Sequence, residues 1–185
     1  EFLLIAADEG ELSPRLNDLY KGDTVYVGQQ PSGFMTLAEI PAEMTDLWLL
    51  STGSAIGPFL AILDEQETEQ RFENVVLVHA VRNKAELVYQ QKIQQQMARY
   101  QGRLKYVAIV SREICDGALT GRVPEHLLDG SLVEAAQIPL KTDSSFFYIC
   151  GNPAMVKDTS NALVELGYRK HLRRKAGNFN SENYW

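Results

Sequence analysis

Four short apolar runs, separated by stretches with helical spacing, are the feature that most constrains how this chain can fold. None of the runs alternates polar with apolar residues, which is typical of strands that are buried on both faces. The runs are residues 47–50 (LWLL), 75–78 (VVLV), 106–110 (YVAIV) and 146–149 (FFYI). Apolar residues recur at roughly helical spacing in residues 84–100 and 153–166. This order predicts the α/β class, with a doubly wound parallel sheet in residues 43–185 that helices cover on both faces.

Residues 1–42 have a different rhythm, because turn residues separate two short runs that are rich in strand-forming side chains. The runs are residues 2–7 and 24–27. Between them, Ser13 as N-cap and Pro14 at the first helical position predict a short helix through Tyr20. We therefore expect a strand, a helix and a strand that remain from an antiparallel domain. The first run is already strand-like at its start, so we expect the chain to be a fragment.

Composition excludes several classes of function. The formal net charge of -6 and pI near 5.1 argue against binding to nucleic acid, which needs clustered Lys and Arg. The two cysteines, Cys115 and Cys150, lie far apart without metal-ligand spacing, so neither a disulfide framework nor a metal site is expected. No apolar stretch has the length of a membrane span and no signal peptide is recognisable, so we expect a cytoplasmic protein.

A glycine-containing turn, residues 51–58 (STGSAIGP), directly follows the first apolar run and directly precedes an apolar helix. Glycines in such a turn let backbone N–H groups approach a pyrophosphate at the positive end of the helix. The turn is not the usual G-x-G-x-x-G, and glycines after strands also occur for steric reasons alone. Phosphate binding and a plain structural turn both remain open on spacing.

Arginines follow two of the apolar runs. Ser111 and Arg112 directly follow the third run, and Arg122 comes shortly after. Arg82 stands at the end of the strand predicted from the second run. Guanidinium groups bind phosphate in a bidentate manner, so such a set suits the 2′-phosphate that distinguishes NADP from NAD. The alternative is that these are solvated surface arginines.

Cys150 ends the fourth run and is followed by Gly151, Asn152 and a helix. A lone cysteine in such a place is usually a small buried hydrophobe. Its position at the carboxyl edge of the predicted sheet, level with the glycine turn, makes a site residue the alternative.

A basic run, residues 169–175, is conspicuous in an acidic chain. It could complement the carboxyl end of the preceding helix. It could also form a docking surface for an acidic protein partner, since opposite fields speed encounter. We expect the scattered histidines His79, His126 and His171 to be structural.

The joint order of several short motifs resembles the bacterial ferredoxin (flavodoxin) NADP reductases essentially from end to end. The motifs are LSPRL (residues 12–16), STGSAIGP (51–58), VHAVR (78–82), VSRE (110–113), TGRVP (120–124), CGNPAMV (150–156) and the terminal Tyr184-Trp185. The family's Arg-x-Tyr-Ser flavin motif does not occur in the sequence, and we expect it upstream of Glu1. The resemblance implies that residues 1–42 are the last part of an FAD-binding β-barrel domain and residues 43–185 an NADP-binding domain.

The resemblance also implies a role for each matching residue. Thr52 and Cys150 would lie where nicotinamide meets flavin, as the catalytic residues. The pyrophosphate of NADP would lie on Thr52, Gly53, Ser54, Gly57 and Pro58, its 2′-phosphate on Arg82, Ser111, Arg112 and Arg122, with Gly151 and Asn152 as further contacts. FAD would be held by Gly10, Leu12 and Ser13, and by Tyr184 and Trp185, the last of which stacks on adenine.

The activity implied by the resemblance is hydride transfer from NADPH to FAD, followed by single-electron transfer to ferredoxin or flavodoxin. FAD and NADP are the implied cofactors, an acidic carrier is the implied partner, and we expect a monomer. Two alternatives remain: a module that binds NADP without flavin, and a nicotinamide dehydrogenase that needs no flavin.

Overall fold

The computed structural model describes residues 2–6, 10–30 and 33–183. Contacts divide the chain into two units, Glu1–Phe34 and Met35–Trp185, so the division lies a little before the expected boundary at residues 42 and 43. No helix in the described ranges is both long and apolar enough to span a membrane.

The first unit contains one short helix, α1 (Ser13–Asn17), and no strand among its described residues. The described residues of the strands predicted at residues 2–7 and 24–27 are not in strands, because a strand needs a neighbour to accept and donate its backbone hydrogen bonds. Ser13 is the first helical residue rather than the N-cap, and the helix ends before Tyr20. A turn follows, in which the Asp23 carboxylate accepts a hydrogen bond from the Tyr20 N–H at 2.8 Å.

The second unit is built on a six-stranded sheet in which every pair of neighbours is parallel. The strands are β1 (Asp46–Thr52), β2 (Asn74–Val81), β3 (Leu104–Val110), β4 (Ala118–Thr120), β5 (Ser145–Gly151) and β6 (Phe179–Asn183), in the spatial order β4-β3-β2-β1-β5-β6. The four predicted strands are therefore confirmed. The two outer strands, β4 and β6, were not predicted.

Helices connect the strands and cover the sheet. They are α2 (Ile56–Asp64), α3 (Gln66–Arg71), α4 (Gln90–Arg99), α5 (Val123–Leu128), α6 (Ser131–Ala136) and α7 (Pro153–Glu165), with 3₁₀ turns at Leu37–Glu39, Gly53–Ala55 and Lys84–Glu86. The predicted helix at 153–166 is confirmed. The one predicted at 84–100 begins only at Gln90, because its N-cap Tyr89 takes a left-handed conformation with φ 61° that a right-handed helix cannot include.

The chain reverses its direction of strand addition between β1 and β5, which are neighbours in the sheet although three strands separate them in sequence. Both strands are buried along nearly their whole length, and the Trp48 and Phe147 rings stack between them at 5.9 Å. In open parallel sheets, ligands bind in the crevice outside the carboxyl ends of the strands at such a reversal. The fold therefore directs attention to the residues that follow β1 and β5.

The segment that enters the second unit is held by two side chains. Arg71, at the end of α3, donates hydrogen bonds to the carbonyls of Leu37, Ile40 and Pro41 at 2.6 to 2.9 Å. The Tyr148 hydroxyl, from the middle of β5, donates to the Thr36 carbonyl at 2.7 Å. These bonds satisfy carbonyls of an irregular segment that no neighbouring strand could satisfy.

Replacing Arg71 by Met should lower the free energy of unfolding by about 2 to 3 kcal/mol, because hydrogen bonds from a charged donor are lost while the carbonyls remain. The free energy of unfolding of Arg71→Lys should lie between those of the wild type and Arg71→Met, because a compact ammonium cannot span three carbonyls. Urea unfolding followed by tryptophan fluorescence measures both, with Arg173→Met, on an exposed turn, as a control expected to unfold like the wild type. Wild-type stability in Arg71→Met would show that these bonds do not hold the segment.

Candidate functional site

The carboxyl ends of β1 and β5 are tied together by Thr52. The Asn152 N–H donates a hydrogen bond to Thr52 Oγ1 at 2.9 Å. Between them, Gly151 has φ 140°, and a Cβ added there would lie 2.0 Å from Thr52 Oγ1. Only glycine permits this backbone conformation without strain and this approach without a clash. Thr52 thus joins the two strand ends that border the crevice.

The glycine turn after β1 leads into the positive end of α2. Gly53 has φ 55° and opens the 3₁₀ turn Gly53–Ala55, and α2 follows at once with Gly57 and Pro58 in its first turn. Among the residues that the structure describes, no side-chain cap is found for α2, whose N-terminus carries partial positive charge. Ser54 lies half-buried within the turn.

The helix that follows β5 differs in this respect. The Asn152 side chain accepts hydrogen bonds from the N–H groups of Ala154 at 2.9 Å and Met155 at 3.3 Å. Asn152 is therefore the N-cap of α7 and uses its side-chain oxygen inside the protein. Of the two helix N-termini at the crevice, that of α2 is the one suited to an anion.

His79 is a residue of this site for which the sequence predicted only a structural role. It lies fully buried on β2, in register with Ser51 of β1, and its Nε2 is 3.2 Å from the Gly53 carbonyl. Burial lowers the pKa of His79 to about 4, so the ring is neutral at physiological pH. Because a carbonyl can only accept, Nε2 carries the proton and donates it. The position of His79 near the end of β2, beside the strand that carries the glycine turn, was the available signal.

Three arginines lie side by side beyond the ends of β2, β3 and β4. The Arg112 N–H donates to the Arg82 carbonyl at 2.9 Å, so these two residues continue the pairing of β2 with β3. The Gly121 N–H donates to the Val110 carbonyl at 3.4 Å, which brings Arg122 to the same edge. All three arginines are exposed, and within the described part of the chain none has a carboxylate within salt-bridge distance.

Ser111 stands among these arginines. Its hydroxyl donates to the Val81 carbonyl at 3.2 Å, which leaves the hydroxyl oxygen able to accept. Three other arginines of the unit are used differently, because they bind carboxylates or backbone carbonyls of the protein: Arg71, Arg99 and Arg103. The edge formed by Arg82, Arg112 and Arg122 thus has unpaired positive charge and an accessible hydroxyl.

Cys150 is buried at the end of β5, opposite Glu182 of β6. Burial, with a smaller contribution from Glu182, raises the pKa of the Cys150 thiol to about 11. The thiol is therefore protonated at neutral pH and is not an activated nucleophile. It is a neutral, polarisable group beside Thr52 and Gly151, and its assignment as a catalytic residue stays a prediction.

The residues predicted to hold FAD belong to the first unit and to the chain terminus. Gly10 is partly exposed, Leu12 is exposed, and Ser13 opens α1. Tyr184 and Trp185 lie outside the described residues. Their assignments stay predictions.

The basic run, residues 169–175, lies towards the amino ends of the strands, away from the crevice. Leu172 and Lys175 exchange backbone hydrogen bonds of 3.0 and 2.9 Å, so Arg173 and Arg174 occupy the tip of a tight turn. The run packs near the start of β5, where the His171 ring contacts Phe146, and about 13 Å of strand separates Phe146 from Cys150 at 3.3 Å per residue. Docking of an acidic carrier on the run stays a prediction.

The other explanation of the basic run, that it complements the carboxyl end of α7, has no hydrogen bond in its favour within the described part of the chain. α7 ends at Glu165 and has no basic residue in its last turn. Among the described residues, no side chain of the run hydrogen-bonds a carbonyl of that helix. The run instead forms the turn that returns the chain to β6.

A family model described as "Oxidoreductase NAD-binding domain" matches residues 49–161. The flavodoxin/ferredoxin–NADP reductase of Escherichia coli (strain K12) is 44% identical over 186 residues, which is 100% of this chain and 75% of the relative. The ferredoxin–NADP reductase of Azotobacter vinelandii is 32% identical over 178 residues, 91% of this chain and 67% of the relative.

The fold is similar to that of a solved relative. The crystal structure of a ferredoxin NADP+ reductase from Neisseria gonorrhoeae with bound FAD and NADP has a TM-score of 0.90 and 34% identity, and the match covers 97% of this chain and 72% of that one. The similarity therefore includes both the sheet and the segments that follow its strands.

Replacing Gly151 by Ala should destabilise the protein more than replacing Gly167 by Ala. Both have positive φ, which costs a residue with a Cβ about 1 to 3 kcal/mol, but Gly167 has nothing within 4 Å of an added Cβ. The clash with Thr52 should add about 1 to 3 kcal/mol in Gly151→Ala. Urea unfolding measures both.

A double-mutant cycle tests the cause of that difference. Thr52→Ala removes the hydroxyl that an added Cβ would meet, so the double variant should be less destabilised than the sum of the single variants. Strict additivity would show that Gly151 and Thr52 do not interact as described.

Proposed function

We propose a function from one premise: this chain belongs to the flavodoxin/ferredoxin–NADP reductase family. It is an oxidoreductase that transfers electrons between NADPH and ferredoxin or flavodoxin by way of FAD. The observation that carries the NADP part is the row of unpaired arginines beyond β2, β3 and β4, at the same edge as the uncapped start of α2. These two features suit the two separate phosphate groups of NADP.

The pyrophosphate is assigned to the turn after β1. Gly53 and Ser54 bring backbone to the N-terminus of α2, where positive partial charge favours an anion. Gly57 and Pro58 lie in the first helical turn, and Pro58 has no N–H that would need a partner. The absence of a side-chain cap on α2 supports this assignment, because a cap would compete with the ligand.

The 2′-phosphate is assigned to Arg82, Ser111, Arg112 and Arg122. Two to three strand spacings, about 10 to 14 Å, separate the end of β1 from the ends of β3 and β4. A ribose and an arginine side chain can together span that separation. Several guanidinium groups with no protein carboxylate suit a phosphate dianion better than they suit the 2′-hydroxyl of NAD.

The reacting end is assigned to the crevice between β1 and β5. Bound FAD supplies the chemistry that converts a two-electron hydride transfer into two one-electron transfers. Thr52 and Cys150 would border the nicotinamide, with Gly151 and Asn152 beside them. The protonated Cys150 thiol brings no charge to the site, and the Thr52 hydroxyl keeps the strand ends together. These side chains orient the reactants and exclude water.

The FAD-binding part is assigned to residues 1–42 and to the chain terminus. None of the described residues between 2 and 34 is buried, which supports a segment that has no core of its own and belongs to a larger domain. Gly10, Leu12 and Ser13 are assigned to the FAD pyrophosphate, and Tyr184 and Trp185 to its adenine. Residues 43–185 are assigned to NADP binding.

Two further properties complete the proposal. We assign ferredoxin or flavodoxin as the electron carrier and the cytoplasm as the compartment. The free thiols of Cys115 and Cys150 are compatible with a reducing environment.

The activity is tested with the protein expressed at its natural length, supplied with FAD, NADPH and oxidised flavodoxin or ferredoxin. NADPH oxidation coupled to carrier reduction, and dependent on FAD, is the expected result. Binding of NADP without any electron transfer would instead identify a binding module. Oxidation of NADPH that needs no flavin would identify a dehydrogenase of another type.

Arg112→Ala should weaken NADPH binding about tenfold or more and leave NADH binding nearly unchanged, because a charged hydrogen bond to the 2′-phosphate is worth roughly 1.5 to 3 kcal/mol. Calorimetric titration with both nucleotides measures this. Arg173→Ala removes an equal charge at the opposite edge and should alter neither affinity. Equal losses for NADPH and NADH in Arg112→Ala would contradict the assignment of the 2′-phosphate.

A further inference from the structure

The hydrogen bond with His79 fixes the orientation of the peptide that joins Gly53 to Ser54. The Gly53 carbonyl faces His79 Nε2 at 3.2 Å, and His79 is fully buried on the adjacent strand. The carbonyl therefore points into the protein. In a planar trans peptide the C=O and the following N–H point in opposite directions. The Ser54 N–H is consequently directed away from His79.

Only one of the two ring nitrogens of His79 makes a hydrogen bond within the described part of the chain. Nδ1 is buried and has no hydrogen-bond partner among the described residues. The ring has only one proton at neutral pH, and the Gly53 carbonyl requires that proton on Nε2. An aliphatic side chain would fill the same space without burying an unsatisfied acceptor. Among the described residues, the bond to the Gly53 carbonyl is therefore the hydrogen bond that offsets the cost of burying this polar ring.

That hydrogen bond acts on a backbone conformation that needs support. Gly53 is in the left-handed region with φ 55°, and the residue before it, Thr52, is extended. Glycine has little intrinsic preference for this conformation, so the turn depends on its contacts to stay in one orientation. The Ile56 N–H also donates to the Gly53 carbonyl, but it belongs to the same turn and moves with it. Among the described residues, His79 donates a side-chain hydrogen bond that links the Gly53 carbonyl to the sheet.

We propose that His79 is a positioning residue for dinucleotide binding: its Nε2–H holds the Gly53 carbonyl inward and so fixes the backbone orientation of the turn that receives the pyrophosphate. The inference rests on the proposed function, since it assumes that a pyrophosphate occupies this turn. It assigns His79 no contact with the nucleotide and no proton transfer.

The test compares two ligands in three variants. NADP+ contains the pyrophosphate, whereas adenosine 2′-monophosphate contains only the part assigned to the arginines. His79→Leu should weaken NADP+ binding about tenfold, the loss expected for one hydrogen bond, and leave adenosine 2′-monophosphate binding within twofold of wild type. His79→Gln places an amide donor near Nε2 and should restore most of the NADP+ affinity. Gln96→Leu is the control, because Gln96 is buried with an unpartnered oxygen on α4 and should change neither affinity.

The outcomes separate this inference from the proposed function. A wild-type protein that binds neither ligand would contradict the proposed function itself. A wild type that binds both, with His79→Leu weakening both equally or neither, or with no rescue by Gln, would overturn the role of His79 alone. If His79→Leu does not fold, the tautomer decides: long-range proton–nitrogen correlation spectra of the ¹⁵N-labelled wild type should show a neutral ring protonated at Nε2. A proton on Nδ1 would overturn the inference.

Discussion

The parallel pairing of β1 with β5, from Asp46 opposite Ser145 to Ser51 opposite Cys150, positions every other part of the site. Because the whole sheet is parallel, all its strands deliver their following residues to one edge, and this pair marks the point where strand addition reverses. Two helices begin there, and their positive ends face the same crevice. The bond from the Asn152 N–H to Thr52 Oγ1 keeps the two ends together at 2.9 Å. If that pairing slipped by one residue, the glycine turn and Cys150 would no longer be level.

The two helix starts at the crevice illustrate how one edge can distinguish between an internal and an external partner. α7 receives its acceptor from the protein, through the Asn152 side chain, whereas α2 has no such oxygen. Four of the arginines follow the same division: Arg71 and Arg103 bind backbone carbonyls of the protein, while Arg112 and Arg122 have no carboxylate within salt-bridge distance in the described ranges. Satisfied groups stabilise the fold and unsatisfied ones remain available to a charged ligand.

The sequence predicted the central strands and α7 because burial on both faces and helical periodicity are local patterns. It did not predict β6, whose residues Phe179–Asn183 are mostly polar and become a strand only by pairing with β5. It placed the start of α4 too early, since nothing in residues 84–89 signals the left-handed Tyr89. The edge positions of the arginines followed from the order of strands. The role of His79 could not, because a buried histidine becomes informative only when the group that accepts its proton is known.

The segment held by Arg71 and Tyr148 also determines where the reductase could be recombined with a relative. Residues 36–41 lie before the sheet in sequence, yet their carbonyls are bonded to side chains of α3 and β5. The Arg71 side chain is only 19% exposed, so a chimera joined after Pro41 could leave a mostly buried guanidinium facing foreign carbonyls. A junction before Met35 would carry the whole segment along with the sheet that binds it. The best junction for a chimera is therefore determined by hydrogen bonds rather than by the first residue of β1.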